Sequence, residues 1–398
     1  MAETGFMRGF PPPPEKRIDL ATWDLPPANR WSFRNVRSVL PTRAVAAGTP
    51  LPLPRAEERL EELALPVKDR RAPSLGALLP AFDTDACLVI HRGRIVFERY
   101  YEGMVERDLH LSQSVAKSFV GTLVGLLAAR GQLDLAAPVA RYVPELEACG
   151  YAGATLAQVL DMRSGVRFVE DYGDPECEIG QLDRAAGWKP GPRPGEPATV
   201  YELIVSLTRE RDHGGTFRYR SIETDVLGWV LERVSGLGLA ELLSRELWQP
   251  MGAEFEACFT VDRAGTCLAD GGLNAALRDY GRFGLLYCNE GALGGRQILP
   301  PAWVAACRSG ERAAFADEFE NGAYFDMPNA CYSRQWWVLD AEAGIHAALG
   351  IFGQMIYVDA RRDCVVVVLS SWPSAMDPGR RRALFRACET VAGALSEG

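Results

Sequence analysis

The sequence predicts an α/β fold of the α+β type, in which an antiparallel sheet is flanked by helices and a helical domain is inserted into it. Strand-like runs lie near both ends of the chain: residues 86–91 and 94–100 flank an Arg92-Gly93 turn, and residues 353–358 and 364–371 form a second adjacent pair. Helical periodicity dominates the part between them. We therefore expect both ends of the chain to build one sheet, with the functional site where sheet and helices meet.

Length and composition predict two closely packed domains. The chain has 398 residues, of which 47% are hydrophobic, enough for a core too large for one simple unit. Residues 1–80 are rich in proline and read as an extended arm packed on the body. Residues 81–135 and 260–398 form the predicted sheet domain, and residues 136–259 a mainly helical domain. The stretch 166–199 lacks periodicity, and a loop that long is usually functional or disordered.

The helices of this scheme have recognisable limits. One begins near Ser112 and ends before Gly131, with apolar residues recurring at helical spacing. Another follows Ser221, a possible cap, and ends at Gly236. Further helical stretches are expected at residues 155–162, 200–208 and 380–395.

Charge and residue usage exclude several functions. The formal net charge of −9 argues against nucleic-acid binding, which usually needs a basic face. No run of 18 residues is apolar and uncharged, and the first residues show no secretory signal, so we expect a cytoplasmic protein that does not engage membranes. The ten cysteines form no C-x-x-C pair and the four histidines no H-E-x-x-H motif. We therefore expect reduced thiols, no metal and no cofactor.

A short motif suggests nucleophilic catalysis. The chain lacks a G-x-S-x-G elbow, but Ser114-Val115-Ala116-Lys117 places a serine and a lysine one helical turn apart. A serine hydroxyl needs a neighbouring base, and a lysine, with an ordinary pKa of about 10.4, serves as one best if burial lowers its pKa to about 7–8. The tetrapeptide alone fits a capping serine followed by a solvent-exposed lysine equally well.

A tyrosine is the second candidate. Tyr219 lies in the segment 217–221, directly before a predicted helix. Its hydroxyl is placed to exchange protons with Ser114 and a leaving group, provided that Lys117 lowers its pKa. The alternative is a half-buried tyrosine in a strand.

Together these stretches resemble the penicillin-recognising serine hydrolases, which comprise class C β-lactamases, DD-peptidases and related esterases. The resemblance covers about residues 80–390 and is carried by Ser114-x-x-Lys117, Tyr219-x-Ser221 and the stretches 160–165, 271–273 and 277–284. It implies a β-lactamase/transpeptidase-like fold. Within the family the chain is similar to the branch of 6-aminohexanoate-dimer hydrolases, through stretches at 23–31, 170–172, 183–188, 334–337 and 369–372.

The resemblance implies a role for each matching residue. Ser114 would be acylated, Lys117 would act as base, and Tyr219 would relay the proton to the leaving group. The backbone N–H groups of Ser114 and Ile351 would form the oxyanion hole.

For the substrate, the resemblance implies three contacts. Tyr172 would contact the leaving amide nitrogen, Asp183 would hold an ammonium end, and Trp188 would close over the acyl chain. A homodimer is implied as well.

The chain departs from the family at several positions. The Lys-Thr-Gly triad becomes Ala348-Leu349-Gly350, and the lost cation argues against β-lactam turnover. The residue two positions after Tyr219 is serine rather than asparagine. Compared with the 6-aminohexanoate-dimer hydrolases, Glu223 and Asp270 replace asparagines and Phe352 replaces a histidine. Asp270 beside Asp183 predicts either a more anionic pocket, which suits an amine-bearing substrate, or a pair of carboxylates that share a proton and hold an amine less well. Phe352 predicts a more apolar rim.

The sequence leaves three hypotheses. The first is a serine hydrolase of small linear amides and carboxylic esters. The second is a carboxylesterase without significant amidase activity. The third is a catalytically silent binding module, which retention of Ser114, Lys117 and Tyr219 argues against; a β-lactamase or DD-peptidase fits the sequence less well.

Overall fold

The computed structural model of the chain describes residues 5–66, 73–315, 327 and 329–397. Its strands are β1 (Thr42–Val45), β2 (Thr84–His91), β3 (Arg94–Tyr100), β4 (Leu109–Leu111), β5 (Ala257–Thr260), β6 (Leu273–Ala276), β7 (Ala292–Leu293), β8 (Arg296–Gln297), β9 (Cys331–Ser333), β10 (Trp336–Asp340), β11 (Ile345–Gly350), β12 (Gln354–Asp359) and β13 (Cys364–Ser370).

The α-helices of the described residues lie mostly between the two groups of long strands. They are α1 (Asn29–Ser32), α2 (Leu75–Ala81), α3 (Ala116–Ala129), α4 (Leu156–Leu160), α5 (Glu178–Ala185), α6 (Val200–Ser206), α7 (Ile222–Ser235), α8 (Leu239–Leu243), α9 (Leu277–Cys288), α10 (Pro301–Cys307) and α11 (Pro378–Ser396).

A seven-stranded antiparallel sheet joins both ends of the chain, in the order β3-β2-β13-β12-β11-β10-β9. Strand β2 pairs with β13, so that Ala86 lies opposite Leu369 and His91 opposite Cys364. Strands β2, β12 and β13 are buried along their whole length, as expected for a sheet covered on both faces. The two predicted strand pairs are thus confirmed, and they are neighbours.

Helix α9 covers one face of this sheet at unusually short range. A Cβ atom added to Gly281 would lie 2.6 Å from Leu88 Cδ2, and one added to Gly284 would lie 2.5 Å from Val365 Cγ1. Glycine at these two positions therefore permits the helix to approach β2 and β13 this closely. Helix α2 packs against β2, and apolar side chains of α2 and α11 meet those of β2 and β13 around one small gap.

A second sheet, in the order β1-β5-β6-β4, connects the N-terminal segment to the candidate nucleophile. Strand β1 pairs with β5 from Thr42 opposite Thr260 to Val45 opposite Ala257. Strand β4 pairs with β6, and directly after it the Ser112 N–H donates to the Leu273 carbonyl over 2.8 Å. The start of the segment with Ser114 is therefore anchored to a sheet edge.

Two local predictions were wrong. The stretch 166–199 is not irregular throughout, because it contains α5, and an ion pair of 2.7 Å between Arg184 and Glu196 ties that helix to the rest of the stretch. Ser221 does not cap α7; its hydroxyl donates to Glu170 instead. The end of α7 is as predicted, with Gly236 in the left-handed conformation at φ 70°.

No helix within the described part of the chain is both long and apolar enough to cross a membrane. All ten cysteines are free thiols, as predicted, and eight of them are buried. Nowhere in the described ranges do three His, Cys, Asp or Glu side chains converge as metal ligands would.

Candidate active site

Ser114 lies at the entrance to helix α3, in a 3₁₀ turn formed by Gln113–Val115. Gln113 adopts a left-handed conformation with φ 49°, which is uncommon for a residue other than glycine and typical of functional sites. The end of β11 presses against this turn: a Cβ atom added to Gly350 would lie only 2.6 Å from the Ser112 carbonyl oxygen. The half-buried Ser114 is thus held between a sheet edge and a strand end.

Lys117 is buried directly behind Ser114, on the first turn of α3. Its side chain is 2% exposed, and its Nζ donates to Ser114 Oγ over 2.9 Å and to the Asp270 carbonyl oxygen over 2.7 Å. The Asp270 carboxylate oxygen Oδ2 lies 3.4 Å from the same nitrogen. The alternative of a lysine that reaches solvent is therefore wrong.

The electrostatic environment of Lys117 differs from the prediction. Burial lowers the pKa of Lys117, but Tyr219, once ionised, and the nearby carboxylates more than offset this effect, so that the net pKa lies above its ordinary value. The carboxylates are those of Asp270, Glu170 and Asp225. Burial thus acts in the direction expected from the sequence, but the net pKa is not brought down, because these anions stabilise the ammonium form.

Tyr219 completes the cluster. Burial raises the pKa of its hydroxyl, Lys117 lowers it, Glu170 raises it, and hydrogen bonds with Ser114 and Lys117 lower it; the net pKa lies above the ordinary value. Its ring stacks on Trp337 with a centroid distance of 5.4 Å. In the resting state the pair is therefore an ammonium beside a neutral phenol.

An open pocket of about 500 Å³ lies in front of these groups. Its walls combine aromatic and aliphatic side chains with two acids and two arginines. The lining residues are Ser114, Phe168, Val169, Glu170, Tyr172, Glu210, Phe217, Arg218, Tyr219, Trp337, Leu349, Gly350, Ile351, Met376 and Arg381. The volume lies in the range typical of small-molecule sites.

The structure brings Tyr172 into this pocket and fixes its hydroxyl group. Tyr172 Oη donates its proton to Glu170 Oε1, and the same carboxylate accepts from the Ser221 N–H over 2.7 Å and from Ser221 Oγ over 2.8 Å. Since a phenol has only one proton to give, Tyr172 presents a lone pair to any further partner.

Four of the five predicted substrate-binding residues lie outside the lining of this pocket, namely Asp183, Trp188, Asp270 and Phe352. Trp188 is 8% exposed and packs edge-on against Trp23, with ring centroids 5.2 Å apart. Phe352 is 7% exposed and packs against Phe33 at 5.3 Å. Asp183 is half-buried on α5. The aromatic side chains of the N-terminal segment thus cover the positions expected at the pocket rim.

Asp183 is in a strongly anionic environment. Burial raises its pKa to about 8, with further contributions from Asp24, Asp270 and Glu170, whereas Lys189 lowers it. An incoming ammonium would favour the ionised form of this carboxyl group.

Glu223 is buried beneath the segment that carries Tyr219 and does not line the pocket. Its Oε1 accepts from Ser164 Oγ over 2.5 Å and lies 3.5 Å from Arg220 Nη1. Burial raises its pKa to about 7, against the opposing effect of Arg220. The carboxylate at this position is therefore bound inside the fold through Oε1, away from the pocket.

Another arrangement of serine, histidine and aspartate is present, but it cannot bind substrate. His110 Nε2 lies 3.1 Å from Asp85 Oδ2, and the Ser371 hydroxyl donates to the same carboxylate. His110 and Asp85 are 0% exposed, and the serine bonds to the acid instead of to the imidazole. This cluster is structural.

Sequence reasoning missed three side chains of the site. Glu170 belongs to a stretch noted for its resemblance, but nothing marked its contact with Ser221. Asp225 reads as an ordinary first-turn charge of a helix, yet it is buried. Arg381 reads as an exposed helix start, yet its guanidinium donates to the Gly350 carbonyl over 2.6 Å. Only the contacts of the folded chain reveal them.

The family model described as Beta-lactamase matches residues 79–389 of the chain. The chain belongs to the beta-lactamase family. It is 40% identical over 365 residues to the 6-aminohexanoate-dimer hydrolase of Paenarthrobacter ureafaciens, covering 91% of this chain and 89% of that protein. It is 28% identical to esterase EstB of Burkholderia gladioli over 186 residues, which are 42% of this chain and 44% of that one.

The solved structures agree with this assignment. The fold is similar to that of "Putative 6-aminohexanoate-dimer hydrolase from Bacillus anthracis", with a TM-score of 0.87, 27% identity and coverage of 96% of this chain and 97% of that one. The β-lactamase/transpeptidase-like fold and the resemblance inferred from the sequence are confirmed. This beta-lactamase family member is a hydrolase, related to a 6-aminohexanoate-dimer hydrolase and to an esterase.

Proposed function

We propose that this chain is a serine hydrolase that cleaves small linear amides and carboxylic esters through an acyl-enzyme, with Ser114 as nucleophile. The observation that carries the proposal is the 2.9 Å contact between Lys117 Nζ and Ser114 Oγ at an open pocket of about 500 Å³. The covalent route divides one difficult step into two easier ones.

In the first step, the resting pair of Lys117 and Tyr219 loses one proton to solvent. The neutral amine of Lys117 then takes the proton of Ser114 while Oγ bonds to the substrate carbonyl carbon and the carbonyl electrons move to oxygen. Tyr219 donates a proton to the leaving nitrogen or oxygen as its bond to carbon breaks, and Lys117 returns a proton to Tyr219. A water molecule then attacks the acyl carbon in place of Ser114 and gives a proton to Lys117. The bond from this carbon to Ser114 Oγ breaks, Oγ regains a proton through Tyr219, and the acid is released.

The charge that develops on the carbonyl oxygen needs donors fixed in advance. We assign this role to the backbone N–H groups of Ser114 and Ile351. Both residues line the pocket, where Gly350, the residue before Ile351, presses against the turn that carries Ser114. Loss of one such donor typically costs about 3 kcal/mol of transition-state stabilisation.

The hydroxyl of Tyr172 supports amides as substrates. Because its proton is donated to Glu170, Tyr172 offers an acceptor to a substrate, and the N–H of a secondary amide is a donor whereas an ester oxygen is not. By analogy with the 40% identical relative, we propose the linear dimer of 6-aminohexanoate as a test amide. We assign its ammonium end to Asp183, because an incoming ammonium would favour the ionised form of that carboxyl group.

A carboxylesterase without significant amidase activity is the second candidate. The kinship with esterase EstB and the missing cation at Ala348-Leu349-Gly350 favour it over a β-lactamase. Esters are also the easier substrates, because an alkoxide leaves more readily than an amine.

The deciding experiment compares release of 6-aminohexanoate from its dimer with hydrolysis of p-nitrophenyl acetate, using Ser114→Ala as control. Turnover of both substrates by the native chain and of neither by the variant supports the amidase proposal. Turnover of the ester alone supports the second candidate. Full activity of Ser114→Ala would exclude both, since neither works without the nucleophile.

Replacing Tyr172 with phenylalanine should separate amide from ester hydrolysis. The variant loses the acceptor for the amide N–H but keeps the contacts between Glu170 and Ser221. We expect kcat/KM for the dimer to fall roughly tenfold, the value of one hydrogen bond, with the ester value changed by less than about threefold. Steady-state kinetics on both substrates measure this, and an equal fall in both would show that Tyr172 does not recognise the amide.

A further inference from the structure

Lys117 is surrounded by ionisable groups from every element packed against it. Ser114 faces it from the 3₁₀ turn, Tyr219 from the segment before α7, and Glu170 from the stretch after α4. Beneath it lie two acids, Asp270 before β6 and Asp225 on α7. Asp270 touches the ammonium group, with Oδ2 at 3.4 Å.

The two acids share one buried site. Asp225 Oδ1 accepts from the Ala269 N–H over 2.8 Å and from the Asp270 N–H over 3.3 Å. Asp225 Oδ2 and Asp270 Oδ1 are both fully buried and have no hydrogen-bond partner among the described residues. Asp225 is 2% exposed and Asp270 is 7% exposed, so water does not readily screen either of them.

Two buried carboxylates so close together do not both remain ionised, because their charges repel and burial disfavours each charge. Burial and the charge of Asp270 raise the pKa of Asp225 well above its ordinary value. A proton on Asp225 would remove one of the two buried charges and would turn its unpartnered Oδ2 into a hydrogen-bond donor. Asp270 is the member of the pair whose carboxylate contacts the Lys117 ammonium group.

We propose that Asp225 and Asp270 share one proton, and that ionised Asp270 is a positioning residue that holds Lys117 as an ammonium and so sets the pH above which hydrolysis becomes fast. This inference rests on the proposed function, in which Lys117 must lose a proton before it can accept one from Ser114.

The test is the pH profile of kcat/KM for p-nitrophenyl acetate from about pH 6 to about pH 9, after subtraction of the rate with Ser114→Ala. In Asp270→Asn the missing charge should favour neutral Lys117. The acid limb should move to lower pH by about one unit or more, which raises kcat/KM near pH 6 about tenfold relative to the native value at that pH.

Asp225→Asn is the matched variant. An asparagine is isosteric with a protonated aspartic acid: its carbonyl oxygen keeps both backbone bonds, and its Nδ2 is a donor where the protonated oxygen would be one. Its acid limb should stay within about 0.3 unit of the native one. A shift as large as that of Asp270→Asn would show that Asp225 is ionised, and would overturn the shared proton.

An unmoved acid limb in Asp270→Asn would overturn the role of Asp270. Should that variant not fold, Asp270→Ser removes the same charge with a smaller side chain and is read in the same way. These results are separable from failure of the proposed function itself. That failure would appear as native activity in Ser114→Ala, whatever the pH profile.

Discussion

Replacing Lys117 with methionine should lower kcat/KM for p-nitrophenyl acetate by about three orders of magnitude, within the range of general-base contributions. Methionine fills a similar volume in the buried site but carries neither a base for Ser114 nor a donor to the Asp270 carbonyl. The measurement is steady-state hydrolysis, alongside thermal unfolding.

The stability measurement matters because the variant leaves Asp270 without its cation. Removing one partner of a buried ion pair typically costs about 3–5 kcal/mol of unfolding free energy, less if the orphaned carboxylate takes up a proton. Lys16→Met, a lysine in the N-terminal segment outside the site, is the matched control and should keep native kinetics. A folded Lys117→Met variant with activity within about threefold of native would contradict the role of this base.

Adding a single methyl group at Gly350 should be almost as harmful. In Gly350→Ala the new Cβ would lie 2.6 Å from the Ser112 carbonyl oxygen and 3.0 Å from Gln113 Cβ. Because the first clash is with backbone, the turn that carries Ser114 must move away from Ile351. A misplacement of about 1 Å in a catalytic site costs about 100-fold in rate, and we expect a loss of kcat/KM of that order.

Gly393→Ala on helix α11 is the matched control, because a Cβ atom at that position meets no other atom within 4 Å. It should leave kcat/KM unchanged and slightly raise the melting temperature, as alanine favours a helix over glycine. Native activity in Gly350→Ala would show that the turn tolerates displacement, and would argue against an oxyanion hole shared between Ser114 and Ile351.

The parts of the fold that repeat a local pattern were predictable from the sequence. Alternation and turn residues located β2 with β3 and β12 with β13, and helical spacing located most of α3. Helix α5 was missed because its two turns are too short to stand out within a stretch rich in Pro, Gly and acidic residues. The domain limits remain a prediction.

For the candidate site, the spacing of three residues between Ser114 and Lys117 at the start of a helix was sufficient to place the lysine beside the serine. The electrostatics were not predictable, because Asp225 and Asp270 are 45 residues apart in sequence and meet only through tertiary packing. The same holds for Glu170 and Ser221, whose contact decides where the proton of Tyr172 points. The roles of the site residues, including Asp183, Trp188 and Phe352, stay predictions.

The central claim is that Ser114 is acylated, and covalent capture tests it most directly. The native chain is treated with a reactive alkyl phosphonate p-nitrophenyl ester, and its mass is compared with that of Ser114→Ala treated in the same way. We predict one added phosphonyl group per native chain, located on Ser114 by peptide mapping, and none on the variant. An equal adduct on Ser114→Ala, or a native adduct on a different residue, would contradict the claim.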